Sequence, residues 1–234
     1  MYAFSENFLL PLSHDEVVHM KGSLLRKMPG EDALKFAGVR SFYTYMLTHP
    51  GKKLMMMGSE FGQWNEWHYE QSLDWHLLDQ QDADGERHRR LKAFFQAANA
   101  LYLRSPQLWE EDFDWKGFQW LCPDDANGNT VAFLRRDKKG GFLAVLCNFS
   151  PVSHPGYRLG VPVAGKYAVV LNSDDPAFGG GGGGDKGLIS TEKIPCHGQE
   201  QSITVDLPAM SAVVYRCARK NPVRKPKAAK HRQA

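Results

Sequence analysis

The segment Glu31 to His49 carries apolar residues on most of its helical faces: Leu34, Phe36, Ala37, Val39, Phe42, Tyr43, Met46 and Leu47. A helix that is hydrophobic nearly all round belongs inside a larger packed body rather than on a surface. Pro29, Glu31 and Asp32 suit its first turn, and Pro50 with Gly51 ends it. A short strand, Lys53 to Met57, follows at once. Its run Leu54-Met55-Met56-Met57 does not alternate, so the spacing predicts a parallel strand covered on both sides, closed by Gly58. These two elements demand burial from several directions. Alone, this part of the chain is expected to be poorly stable, because one strand makes no sheet and an apolar helix exposes sticky surface.

The text changes character near Pro106. Before it, a long segment from Glu60 to Asp84, rich in Trp, His and Asp, leads into an amphipathic helix from about Glu86 to Leu103. A connection of that length is usually functional. After it come short β-rich runs at Gly117 to Leu121, Thr130 to Arg136, Phe142 to Phe149, Tyr167 to Asn172, Ser202 to Leu207 and Ala212 to Cys217. Asn127-Gly128 and Lys139-Gly140-Gly141 supply hairpin turns, so this half reads as an antiparallel β-sandwich. The Gly179 to Gly184 run is expected to be a flexible surface loop; no strand-to-helix context makes it a nucleotide cradle.

Composition excludes several classes. The 234 residues are 42% hydrophobic and 24% charged, with no apolar run long enough for a membrane span and no basic segment ahead of an apolar one at the start. The net charge of +3 comes from the stretch Arg216 to Arg232; without it the rest is acidic. That tail lacks interleaved aromatics and reads as a disordered solubilising extension, not a specific nucleic-acid site. Cys122, Cys147, Cys196 and Cys217 are widely spaced, with no CxxC pair, which fits reduced thiols in a cytoplasmic protein rather than zinc or redox chemistry.

The most chemically loaded cluster is Ser13-His14-Asp15-Glu16, followed by His19, after the apolar stretch Phe8 to Leu12. Ionisable groups at the exit of a strand suit an active-site rim. The spacing does not reproduce a helical HExxH metal motif, so no metal is expected. On an extended chain, consecutive Ser, His and Asp point to opposite faces, which excludes a nucleophile–base–orienter triad. Two carboxylates flanking a glycosidic bond are what glycoside chemistry requires. Asp15 can be one of them, with Glu60 and Glu66 as the nearest others. The aromatics Phe61, Trp64, Trp67, Tyr69 and Trp75 suit the apolar faces of sugars, and equally a packed loop that buries area.

Leu10-Pro11-Leu12-Ser13-His14-Asp15-Glu16-Val17-Val18-His19, followed by Lys21-Gly22-Ser23-Leu24, resembles the fourth signature region of the α-amylase-type glycoside hydrolases in their bacterial branching-enzyme form. His49-Pro50-Gly51-Lys52-Lys53-Leu54, Met57 to Trp64 and Ser72 to Leu78 are similar to the segment around the eighth barrel strand of that family. Cys147 to Pro151 and Gly156 to Pro162 resemble its C-terminal all-β domain. The resemblance covers nearly everything up to about Arg216.

It implies α/β plus all-β architecture: residues 1–106 the last part of a (β/α)8 TIM barrel, 107–217 an antiparallel β-sandwich, 218–234 the basic tail. It also implies that Asp15 is the transition-state stabiliser and that His14 contacts the sugar, with Glu60, Trp64, Trp67 and Trp75 along the path of the substrate. The family's nucleophile and acid/base have no matching motif in this sequence, so no activity is expected of the chain by itself. The implied reaction is transfer of α-1,4-glucan segments to 6-hydroxyls in glycogen synthesis, without cofactor. The implied partners are an α-glucan (glycogen or amylose) and an upstream barrel polypeptide. The alternatives are a non-catalytic α-glucan-binding module and a fragment of an amylase-like or debranching hydrolase.

Overall fold

The computed structural model describes residues 4–218; the basic tail beyond them lies outside the described residues. The chain opens with strand β1 (Leu9–Leu12) and a 3-10 turn at His14–Glu16, then the short helix α1 (Leu24–Lys27) and the long helix α2 (Asp32–Thr48). Strand β2 (Lys52–Met55) returns parallel to β1, with Leu10 opposite Lys53 and Leu12 opposite Met55. A short helix α3 (His76–Asp79) and the 22-residue helix α4 (Ala83–Arg104) follow. Helix α4 starts three residues ahead of the sequence expectation because Asp82 caps it, its carboxylate accepting the Gly85 amide at 2.9 Å.

The remaining strands are β3 (Phe118–Asp125), β4 (Thr130–Arg136), β5 (Phe142–Asn148), β6 (His154–Val161), β7 (Lys166–Asn172), β8 (Leu188–Ser190), β9 (Gln201–Leu207) and β10 (Ser211–Cys217). Six form one antiparallel sheet in the order β3-β4-β5-β10-β7-β8, while β6 and β9 form a separate antiparallel ribbon. Alternation along β5 shows how the sheet is covered. Ala144 and Leu146 join Leu159, Val161, Ile203 and Val205 of the ribbon, whereas Leu143, Val145 and Cys147 join Phe36, Val39, Leu91 and Phe94 of the helices. Every residue of β5 is buried, as period-two geometry requires of a strand covered on both faces. The expected sandwich is therefore asymmetric. One face of the sheet carries a two-stranded ribbon, and the other carries α2 and α4.

That second contact explains α2. Phe36, Val39, Tyr43, Met46 and Leu47 are buried in the helix–sheet core, and of its buried hydroxyls all but that of Ser41 have a hydrogen-bond acceptor. Thr44 Oγ1 donates to Arg40 O at 2.9 Å, Thr48 Oγ1 to Thr44 O at 2.7 Å, and the Tyr43 hydroxyl to Ser59 O at 2.8 Å. Phe42 and Tyr45 instead face β1 across an open apolar groove of about 290 Å³.

Strand β2 is parallel as expected but is not covered on both sides: Leu54 is 46% exposed and Leu9 of β1 is 57% exposed. The reason is geometric, since among the described residues only two parallel strands are present and the helices lie on one side. An eight-stranded barrel is not present among them.

One buried ion pair locks the two halves together. Arg135 on β4 is fully buried and donates to Thr48 O at the end of α2 (2.6 Å), to Leu108 O (3.1 Å), to Gly117 O (3.2 Å) and to Asp112 Oδ1 (2.9 Å). Asp112 in turn accepts the Gly51 amide at 3.1 Å and sits 3.2 Å from Lys52 Nζ. Four of the five guanidinium hydrogens are directed at acceptors drawn from segments on both sides of Pro106.

The glycine run is ordered rather than loose. Asp174 Oδ1 accepts from Gly181 N (2.8 Å), Oδ2 from Gly183 N (2.9 Å) and its carbonyl from Gly182 N (2.9 Å), so one aspartate organises the loop from inside.

Candidate functional site

The chemically loaded cluster sits where β1 ends. Pro11 and Leu12 complete the strand, and the chain then turns through His14–Glu16, started by Ser13, whose side chain accepts the Asp15 amide at 3.3 Å. The turn replaces the extended chain that the triad argument assumed. His14 Nε2 lies 3.3 Å from Asp15 Oδ1, and Ser13 Oγ donates to Asp15 Oδ2 at 3.4 Å. Asp15 is thus the middle member. A hydrolytic triad needs the imidazole between hydroxyl and carboxylate, so the exclusion stands on a different geometry from the one expected. Both side chains are open to solvent, His14 at 56% and Asp15 at 71% exposure, and can reach a ligand.

What holds this rim in place is the segment 63–74. The Trp67 amide donates to Val17 O at 3.0 Å, and the Trp67 ring meets His14 edge-on, with centroids 6.2 Å apart. Glu66 accepts the amides of Met20 (3.0 Å) and Gly22 (2.6 Å). Those two bonds, the Gly22 one above all, hold its carboxyl below the usual glutamate range. They also pin His19 (φ 56°) and Met20 (φ 65°), two successive non-glycine residues in the left-handed region. Such residues cost of order 1–3 kcal/mol each and persist only when the surroundings over-determine them. Sequence reasoning weighed Glu66 only as a carboxylate near a sugar bond. Its role as a loop clamp had no signal in the sequence, since nothing in residue spacing announces a left-handed pair at His19 and Met20.

Beneath this segment, Gln63 Nε2 donates to Asn65 O (3.1 Å) while its Oε1 accepts the Asp74 amide (3.0 Å), and Asp74 accepts from Asn65. The 3-10 turn at Ser59–Phe61 is bracketed by Gly58 (φ 89°) and Gly62 (φ 72°). A Cβ on Gly62 would stand 2.8 Å from Leu91 Cδ2, so α4 packs against bare backbone there.

The remaining expected site residues separate into different environments. Trp64 is half-buried, its ring edge-on to Phe36 (6.1 Å) and His88 (6.0 Å), with Lys35 over it at 5.5 Å. Trp75 is 47% exposed and rests against Phe61 at 5.0 Å. Glu60 is half-buried and opens on another cavity, about 420 Å³, shared with Lys53, Met55, Met56 and Phe95. The structure therefore brings His14, Asp15 and Trp67 together. Trp64, Trp75 and Glu60 lie outside that contact set. Among the described residues no group of three or more His, Cys, Asp or Glu is arranged to hold a metal ion, all four cysteines are free, and no helix is long and apolar enough to cross a membrane.

Residues 120–218 match the family described as the alpha amylase C-terminal all-beta domain. The chain is similar to the 1,4-alpha-glucan branching enzyme GlgB of Aromatoleum aromaticum, with 48% identity over 91% of this chain and 32% of that protein. It is 46% identical to the GlgB of Aquifex aeolicus over 91% of this chain and 33% of the relative, and 46% identical to that of Pseudomonas aeruginosa over 93% and 29%. The chain thus spans about a third of the length of these curated relatives. Among solved structures, an alpha-amylase from Geobacillus thermoleovorans complexed with acarbose superposes with a TM-score of 0.51 at 15% identity, covering 80% of this chain and 34% of that one. At that identity the likeness concerns the fold alone.

Proposed function

We propose that this chain, related along 91% of its length to bacterial 1,4-alpha-glucan branching enzymes, is the C-terminal portion of such an enzyme. In this reading residues 1–106 are the last part of a (β/α)8 barrel, 107–217 the C-terminal all-β domain, and 218–234 a basic extension. The whole enzyme transfers α-1,4-glucan segments to 6-hydroxyls in the cytoplasm, without a cofactor. Asp15 stabilises the transition state, His14 holds the sugar at the cleaved linkage, and Trp67, Trp64, Trp75 and Glu60 lie along the glucan path.

The observation that carries this reading is the His14–Asp15 pair at the C-terminal end of a strand in a parallel pair. In barrels that end of the strands holds the chemistry. The pair is solvent-facing, as a group that meets a large carbohydrate has to be, and the loop that follows it is clamped by Glu66. A retaining mechanism needs a nucleophile and an acid/base about 5 Å apart in addition to Asp15. Neither has a matching motif in this chain, so a partner polypeptide bearing the earlier barrel strands would supply them. The exposed faces of Leu9 and Leu54 and the apolar groove beside β1 support a partner at that side.

The test mixes the chain with a polypeptide carrying the preceding part of a relative and follows branching by loss of iodine colour and by linkage analysis. Branching is expected only from the mixture, and Asp15→Asn is expected to abolish it. Branching or hydrolysis by the purified 234-residue chain alone would refute the reading.

A further inference from the structure

A second concave surface lies away from the rim, where the start of α2 meets the glycine loop and the turn after β9. It encloses about 630 Å³, within the ~300–1,000 Å³ of small-ligand sites. Its floor is Arg40, only 3% exposed. Arg40 Nε donates to Ser173 O at 2.7 Å, but its Nη groups have no hydrogen-bond partner among the described residues. Burial lowers the guanidinium to about 10, with Asp174 pulling it back upward, so the cation is poorly hydrated and retains unspent donors. Because Arg40 lines the groove, an acceptor lying there can reach those donors.

The walls say what kind of acceptor. Leu34, Pro155, Pro208 and Met210 are apolar, while Asp174 and Asp206 set two carboxylates against the single cation. A phosphate or carboxylate ligand would meet net repulsion there. A neutral polyol meets none: its hydroxyls accept from Arg40 and donate to the carboxylates, and the CH faces of pyranose rings cover the apolar walls. The loop is already shaped to receive it, because Asp174 fixes Gly181 and Gly183 by their amides and Arg90 Nη1 holds Pro176 O at 3.0 Å. Binding to a preformed surface loses little to ordering.

We propose that this groove is an accessory carbohydrate site that holds a short stretch of α-1,4-glucan, with Arg40 as its central donor. The choice of glucan rests on the branching-enzyme reading above; the site itself rests on the groove. It would keep a long polymer attached to the molecule while another part of it is processed, which raises local concentration without contributing to chemistry.

Maltoheptaose titrated into the 15N-labelled 234-residue chain tests it. The signals of Gly179 to Gly184 and Ala37 are expected to move together and saturate. Ala33→Trp, which fills the mouth of the groove from an exposed helix position, and Leu34→Asp, which spoils an apolar wall, should each weaken that response at least tenfold with unchanged thermal melts. Asp15→Asn should leave it unchanged. The proposal is overturned if these signals stay still, if inorganic phosphate or cellohexaose moves them as readily as maltoheptaose, or if both groove variants bind like the parent. Shifts confined to His14 and Trp67 would sink the groove while leaving the catalytic reading intact. A groove response beside a failed reconstitution of branching would sink the catalytic reading and leave the groove.

Discussion

Removing Asp112 tests whether the helices and the sheet are one cooperative unit. In Asp112→Ala the fully buried Arg135 loses the one carboxylate that contacts it among the described residues and retains carbonyl acceptors. Breaking one side of a buried pair typically costs 3–5 kcal/mol, because the uncompensated charge stays behind. The Gly51 amide also loses its acceptor, a further penalty of roughly 1–3 kcal/mol that overlaps with the first and does not add to it. Lys52 contributes little, its side chain being 43% exposed. The expected loss is therefore about 4 kcal/mol. With a urea m-value of about 2 kcal/mol/M, the midpoint falls by about 2 M. Far-UV circular dichroism and tryptophan fluorescence should shift by the same amount, since Arg135 ties the end of α2 to β4. In Asp112→Ala combined with Arg135→Met, the charge is gone as well, and much of the loss should be recovered. A single-variant loss below about 1 kcal/mol, or a double variant no better than the single, would refute the assignment of the pair as the junction between the halves.

Glu66→Gln should speed amide exchange at Met20 and Gly22. Because the Glu66 carboxyl is held below its ordinary value in the folded chain, the parent's protection there is present above the usual carboxylate range and lost as pH falls through the depressed value; the variant should lack that pH dependence. Asp174→Ala should release the glycine loop, measured as at least tenfold faster exchange at Gly181 and Gly183 and as new protease cleavage between residues 179 and 184. Lys53, pushed down to about 7 by burial, binds fewer protons folded than unfolded between there and the ordinary lysine range. Stability should accordingly rise with pH across that window, by up to about 1.4 kcal/mol per pH unit, and Lys53→Met should remove the rise in urea titrations at pH 7 to 10; a slope unchanged by the substitution would contradict this.

Periodicity made the long elements legible. The near-uniform apolar text of α2 announced a helix enclosed by other elements, and six of the eight strands after Pro106 were visible as β-branched and aromatic runs. Strand β6 was not, because Pro155, Gly156 and Gly160 interrupt it. Its ladder with β9 slips between His154 and Tyr157, and its first half is exposed. Strand β8 spans three residues and buries almost nothing. At the rim, the residue types at positions 13 to 16 were informative and their conformation was not. The turn that brings His14 onto Asp15 depends on Ser13 capping it and on Glu66 and Trp67 reaching back from about fifty positions later. Adjacency in sequence cannot encode a clamp of that separation. The Arg40 groove was invisible for the same reason, since Arg40, Asp174 and Pro208 meet only when α2 lies on the sheet.

The packing also changes what Pro106 divides. Composition shifts there, yet Phe118, Phe133, Val145, Leu171 and Val214 from the strands share one core with Phe36, Tyr43, Leu91 and Leu101 from the helices. Deleting either side would bare a continuous apolar face of the other. Two parallel strands alone are only marginally stable, so little at the rim would hold β1, β2 and the His14–Asp15 turn in register without that core. The support runs through named contacts. The sheet fixes α2 and α4, His88 Nδ1 on α4 meets Phe61 O at 2.8 Å, Tyr43 on α2 holds Ser59 O, and the segment that begins there leads to Glu66 and Trp67. The all-β half is thus the base on which the rim is positioned, and a perturbation of the sheet should reach Asp15 through α2 and α4 before it reaches it by any other route.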